Sequence, residues 1–160
     1  MGVPHRLLFE DRFVCAVDAD NHEIGDSVSL EEFSSLPHLA TLCGHEISLA
    51  EAQLDLLGVA RNTEVTTAYG LAPPLLRGTR RIALIHERLA WLLADQTSLR
   101  LLEPPMPLQP IHQLMLWTPR AEHDPGLQWL RNRIVTFAEE RDAIGDQLGR
   151  CRGRPPRRSR

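Results

Sequence analysis

The residues best equipped for chemistry in this chain do not combine into a reactive motif. His86-Glu87 begins like a helix that carries two zinc-binding histidines, but Ala90 stands where the second histidine is needed. No Gly-x-Ser-x-Gly elbow offers a seat for a hydrolytic nucleophile. No phosphate loop and no Gly-x-Gly-x-x-Gly turn follows any predicted strand. The adjacent acids Glu31-Glu32 and Glu139-Glu140 point about 100° apart on a helix, which suits a solvated face better than an acid–base pair. His22, His38, His45, His112 and His123 lack metal-ligand spacing. Cys15, Cys43 and Cys151 are odd in number and far apart, which argues against a disulfide framework or a zinc knuckle. The sequence thus predicts no catalytic residue, no metal and no cofactor.

The elements that could position a binding site are more legible. Leu7 to Val17 reads as a strand rich in β-branched and aromatic residues. Ser29 with Glu32, and Ser48 with Glu51, each fit a helix-starting capping box. Pro37 stops the first helix and Gly58 the second. Leu49, Ala52, Leu56 and Leu57 follow helical spacing. His38–Leu42, Thr63–Thr67, Ile82–Ile85, Leu99–Leu102 and His112–Thr118 read as strands. Tyr69–Leu76 reads as a short helix or turn and Glu87–Asp95 as an amphipathic helix. The alternation predicts an α/β layer structure with a mainly parallel sheet. Asp124-Pro125 opens a last helix, Asp as N-cap and Pro at its first position. Leu127, Leu130, Ile134 and Phe137 mark its expected buried stripe.

Composition narrows the class. In 160 residues, 42% hydrophobic content suffices for a core, while 5% aromatics leaves that core to aliphatic side chains. No apolar run reaches the roughly 20 residues that span a bilayer, and the N-terminus does not read as a signal peptide. The expectation is a cytoplasmic protein without membrane contact. All 18 basic residues are Arg, and six of them fall in residues 150–160, so the acidic body offers no broad basic face to duplex DNA. Within that tail Arg152-Gly-Arg-Pro155 is similar to the core of a minor-groove AT-hook, with Arg152 and Arg154 as its arginines. An Arg-, Gly- and Pro-rich end of this kind is more often a plain disordered tail.

An ordered series of segments resembles the LysR-type transcription regulators. LLFEDRFVCAVDADNH (7–22) is similar to the segment where the chain crosses between the two lobes of their effector-binding domain. SLEEFSSLPHL resembles the helix and strand that open the second lobe, and LRGTRRIALIHERLA a Gly, apolar-strand, Pro-Glu-Arg stretch. LRLLEPPMPLQPIHQLMLWTPRAEHDPGLQWLR resembles the return crossing and terminal helix. Leu-Phe-Glu-Asp and Trp-x-x-Arg-x-x-x-Asp-Pro are closest to the branch with nodulation and aromatic-acid regulators. Two departures stand out: His86 replaces the usual Pro, and Asn21-His22-Glu23 lacks a His-Pro pair.

The resemblance implies a periplasmic-binding-protein-like (type 2) effector domain with one complete Rossmann-like lobe and a partial second one. On that reading 1–17 and 109–141 form the partial first lobe, 18–108 the second lobe, and 142–160 an Arg-rich disordered tail. It implies a small aromatic or carboxylic effector bound between lobes, and a homodimer or tetramer. Promoter DNA would be reached only through a winged helix-turn-helix outside this chain. A free-standing solute-binding protein and an α/β enzyme remain the alternatives. Because open α/β sheets bind ligands at the carboxyl ends of their strands, the candidate site residues are Thr41, Cys43, Gly44, Thr67, Tyr69 and His86. Thr41 and Thr67 can donate to a carboxylate and Tyr69 can stack on a ring. Each also reads as an ordinary loop or cap residue.

Overall fold

The fold comes from a computed structural model, which describes residues 2–93 and 96–151, with side chains as far as Asp142. The chain divides into two compact units. One comprises residues 12–110; the other combines residues 2–11 with 111–151.

The smaller unit has an antiparallel strand pair, β1 (His5–Asp11), and, late in the chain, β8 (Ile111–Leu116). The register pairs His5 with Leu116 and Leu7 with Leu114, and shifts between Leu7 and Phe9. A long helix, α5 (Pro125–Cys151), packs on β1. Asp124 caps it as the sequence predicts, its carboxylate accepting from the Leu127 N–H at 2.8 Å. The stripe expected to be buried is not. Leu127, Leu130, Ile134 and Phe137 are exposed, and Val135 and Ala138 face inward instead. Two strands cover only a narrow strip of a helix surface, so the strip lying on them is buried and its neighbours are not. The helix also continues beyond Arg141, where the periodicity reading ended the ordered chain. Arg152 and Arg154 lie outside the described residues.

The larger unit is organised around β2 (Phe13–Asp18), whose six residues are all buried. The single strand expected over Leu7–Val17 is two strands, broken at Arg12, with one in each unit. β2 lies between β6 (Ala83–His86) and β7 (Leu99–Leu102), antiparallel to both. A second group places β3 (Pro37–Cys43) parallel to β5 (Asn62–Ala68), with the two-residue β4 (Glu46–Ile47) turned back on its end. A bridge between His38 and Ile82 ties the groups together. The sheet is therefore mixed rather than mainly parallel. The two strands beside β2 both oppose it, and the β3–β5 pair together with the His38–Ile82 bridge carries the parallel contacts.

Four short helices, α1 (Leu30–Ser35), α2 (Leu49–Leu56), α3 (Ala72–Leu76) and α4 (Glu87–Leu92), accompany this sheet. Val14, Ala16, Leu39, Leu76, Ala83 and Ile85 form the centre of the core. The first capping box is complete: Ser29 accepts from the Glu32 N–H, and Glu32 accepts from the Ser29 N–H at 2.7 Å. The second is only half formed. Ser48 accepts from the Glu51 N–H at 3.4 Å, but the Glu51 carboxylate turns inward. Along α2 the buried residues are Ala50, Glu51 and Leu54, whereas Leu49 and Leu56 point to solvent. Gly58, at φ +66°, ends the helix as predicted.

Candidate functional site

The antiparallel register of β2 and β6 sets Phe13 opposite His86 at one end of the sheet in the larger unit. β5 ends nearby, and the chain turns at once into a short 3-10 segment that begins with Tyr69. Three rings meet there. His86 lies 5.1 Å from Phe13 and 4.7 Å from Tyr69, centroid to centroid, with tilted planes in both cases. The Tyr69 hydroxyl accepts the backbone N–H of His86, which fixes the ring over the start of α4. Burial lowers the pKa of His86 from its ordinary value to about 4, so the imidazole is neutral at physiological pH. A neutral imidazole has one donor and one acceptor nitrogen beside two aromatic faces.

Charge lies next to this cluster but is already neutralised. Arg12 donates to both carboxylate oxygens of Glu87, at 3.1 and 2.8 Å, and to both of Glu103, at 2.8 and 2.6 Å. The Arg12 pKa is raised, first by the hydrogen bond with Glu87. Burial acts in the opposite sense, and Glu103 adds to the rise. Glu87, the first residue of α4, is buried. Its backbone N–H donates to the Arg12 carbonyl at 2.9 Å.

Of the candidate residues, Tyr69 and His86 are brought together and joined by Phe13. Thr67 lies on β5 opposite Thr41 and is half-buried. Thr41 is fully buried. Its hydroxyl donates to Ser48 at 2.7 Å, and its N–H reaches Glu51 at 3.3 Å. Cys43 is the exposed last residue of β3, and Gly44 opens the turn to β4 with φ +67°.

The sequence reading missed a buried polar network near the starts of β3 and β5. Glu51 faces His38 at 3.2 Å through one oxygen and the Arg61 guanidinium at 2.9 Å through the other. Its only sequence signal is an acid in the first turn of an amphipathic helix, which reads as a surface cap. An open depression of about 400 Å³ lies at the other end of β2, lined in part by Asp18, Asn21, Glu23 and Arg80. Its charges are largely matched: Asp18 accepts from the backbone of Asp20 and Gly78, and Arg80 pairs with Glu23. Among the described residues no group of His, Cys, Asp and Glu could hold a metal ion. No described helix is long and apolar enough to cross a membrane.

No protein-family model matches the chain. It is, however, 32% identical over 138 residues to a nodulation protein D from Rhizobium tropici, a match covering 84% of this chain and 44% of that protein. The chain thus spans less than half the length of this curated relative. Among solved structures it resembles a probable transcriptional regulator from Pseudomonas aeruginosa, with TM-score 0.72 and 21% identity over 83% of this chain and 45% of that one. It also resembles the regulatory domain of MexT, a transcriptional activator from the same organism, with TM-score 0.67 and 23% identity over 84% of this chain and 66% of that one. The fold is the periplasmic-binding-protein-like α/β fold of bacterial regulatory domains. The chain belongs to the LysR-type transcription regulators and corresponds to their effector-binding, regulatory portion.

Proposed function

We propose that the larger unit holds the effector site of a LysR-type regulator, and that Phe13, Tyr69 and His86 receive a small aromatic ligand there. The observation that carries this reading is the cluster of two rings around a neutral imidazole at the end of β6. Of the two effector classes the resemblance implies, the aromatic one is favoured. The nearby guanidinium of Arg12 is engaged by two carboxylates, so a ligand carboxylate finds that cation already neutralised. Thr67 supplies a polar contact at the neighbouring strand end. Thr41 serves by holding β3 to α2 through Ser48. Cys43, at the exposed end of β3, and Gly44, on the turn that follows, complete the rim at that strand end.

In this reading the chain senses rather than catalyses and works in the cytoplasm. Ligand binding stabilises one arrangement of the regulator, and the signal reaches promoter DNA through a helix-turn-helix carried by the whole protein. Titration of the purified chain with phenol and with benzoate, followed by tryptophan fluorescence and calorimetry, tests the site. The expected result is measurable phenol binding that exceeds benzoate binding and is lost in Tyr69→Ala and His86→Ala. Binding of neither probe, or binding unaffected by both substitutions, refutes the assignment.

A further inference from the structure

Arg12, where the expected single strand breaks, braces two other segments of the larger unit, of which it is the first residue. Its carbonyl accepts the Glu87 N–H at 2.9 Å, and the next residue, Phe13, lies opposite His86. Arg12-Phe13 thus faces His86-Glu87 across two strands. Helix α4 begins there without a side-chain cap, because His86 at its N-cap makes no side-chain hydrogen bond to the helix. The start is held from outside instead, by the Tyr69 hydroxyl on the His86 N–H and by Arg12 on Glu87. The guanidinium has a second partner. Its Nη1 donates to both oxygens of Glu103, the residue that follows β7. Glu103 opens the run 103–110 through which the chain leaves the larger unit. Pro104, Pro105, Pro107 and Pro110 stiffen that run. Its far end is pinned by Gln53, which accepts from the Gln109 N–H at 2.7 Å and donates to the Gln109 carbonyl at 3.2 Å.

The two halves of this contact differ in kind. The Glu87 side chain is 5% exposed and that of Glu103 74%. Separating the buried half would leave an uncompensated charge inside the protein, so that half persists. The exposed half is open to water and salt and can release. We infer that Arg12 is a positioning residue that couples the spacing of the Phe13 and His86 rings to the run 103–110. With Glu103 in place the planar guanidinium is gripped from two sides and has one orientation. It then holds Glu87, the first turn of α4 and the His86 ring in one place. With Glu103 released, the guanidinium keeps Glu87 but swings with it, and the rings spread over a range of spacings. A ligand that needs the one spacing therefore favours the clasped run, and the clasped run favours the ligand by the same factor. That last consequence rests on the reading of the ring cluster as the ligand site; the positioning of the rings does not.

Glu103→Gln tests it, since Glu103 lies on the surface and the buried pair stays intact. The His86 ring-proton resonance, assigned by its loss in His86→Phe, reports the spacing through the ring currents of Phe13 and Tyr69. In the full chain without ligand it should shift in Glu103→Gln, and raising the salt should shift wild type the same way. Glu31→Gln, which removes an exposed acid on α1, should leave it in place. Phenol, uncharged at neutral pH, supplies the second arm. Between about 0.02 M and about 0.5 M salt, wild type should lose about threefold in phenol affinity, while Glu103→Gln should bind at the weaker level throughout. A His86 resonance that Glu103→Gln leaves where it is overturns the inference, whatever phenol does. A shifted resonance with no phenol binding in any variant upholds the positioning and refutes the ligand reading. Phenol binding with the same salt response in wild type and Glu103→Gln overturns the coupling to the ligand.

Discussion

Glu51→Ala should be the most destabilising single change in the polar interior of the larger unit. Glu51 is 2% exposed, and its carboxylate serves three partners: the His38 ring at 3.2 Å, the Thr41 N–H at 3.3 Å and the Arg61 guanidinium at 2.9 Å. Arg61 does not share the whole loss, because it keeps Asp55 at 2.6 Å and the Val59 carbonyl at 3.2 Å. His38 and the Thr41 N–H have no such retreat, since both residues are fully buried. Leaving a buried donor without a partner costs about 1–3 kcal/mol, and breaking one side of a buried ionic contact about 3–5 kcal/mol. With Arg61 discounted, a loss of about 3 kcal/mol follows. At a urea dependence of about 2 kcal/mol per molar, the unfolding midpoint of the variant should fall by about 1.5 M. Glu51→Gln keeps the shape and one acceptor, so it should lose about half as much and still be folded in water. Glu46→Ala, on the exposed β4, should move the midpoint within about 0.3 M of wild type. Glu51→Ala with a midpoint that close to wild type would refute the argument, because the network would then contribute nothing the solvent could not replace.

The remaining expectations concern His86 and Cys15. His86 has a folded pKa of about 4 against an ordinary value of 6.5, so between those values the unfolded chain binds the extra proton and stability falls as the pH is lowered. Urea midpoints from pH 7 to pH 4.5 should decline more steeply for wild type than for His86→Phe, by roughly 2 kcal/mol over that range; parallel curves would remove His86 as the cause. Burial pushes the Cys15 thiol to about 12, with Glu103 adding to the shift, whereas Cys43 is exposed. In a Cys151→Ser background, a maleimide should therefore label Cys43 within minutes and Cys15 only after denaturation. Equal labelling of both in native buffer would contradict the burial of β2.

The parts of the fold that depend on neighbours in sequence could be read from it. Ser29 and Glu32, three residues apart, make their reciprocal cap within one helical turn. Asp124-Pro125 and Gly58 begin and end helices for equally local reasons. β3, β5, β6, β7 and β8 lie within a residue or two of their expected bounds, because runs such as Ile82–Ile85 are apolar whatever lies beside them, whereas the break at Arg12 and the two-residue β4 left no such mark. Strand direction was not legible, since an antiparallel β2 and a parallel one show the same six buried residues. Glu51 was misread because its helix position suits a surface cap, and only the approach of His38 and Arg61 turns its carboxylate inward.

The candidate site shows the same division. Tyr69 and His86 could be picked out as strand-end residues, but Phe13 joins them only through the pairing of two strands about seventy residues apart in the chain. The reverse holds for α5. Its apolar spacing was plain in the sequence, yet which side is buried depends on how wide a surface the other elements provide. The sequence by itself determined the order of the elements, the caps and the kinship with LysR-type regulators, because these rest on local spacing and the ordered series of segments. Tertiary structure decided which acid is buried, which ring meets His86 and which helix stripe is left bare. Those outcomes depend on surfaces supplied by distant residues, and periodicity carries no record of them.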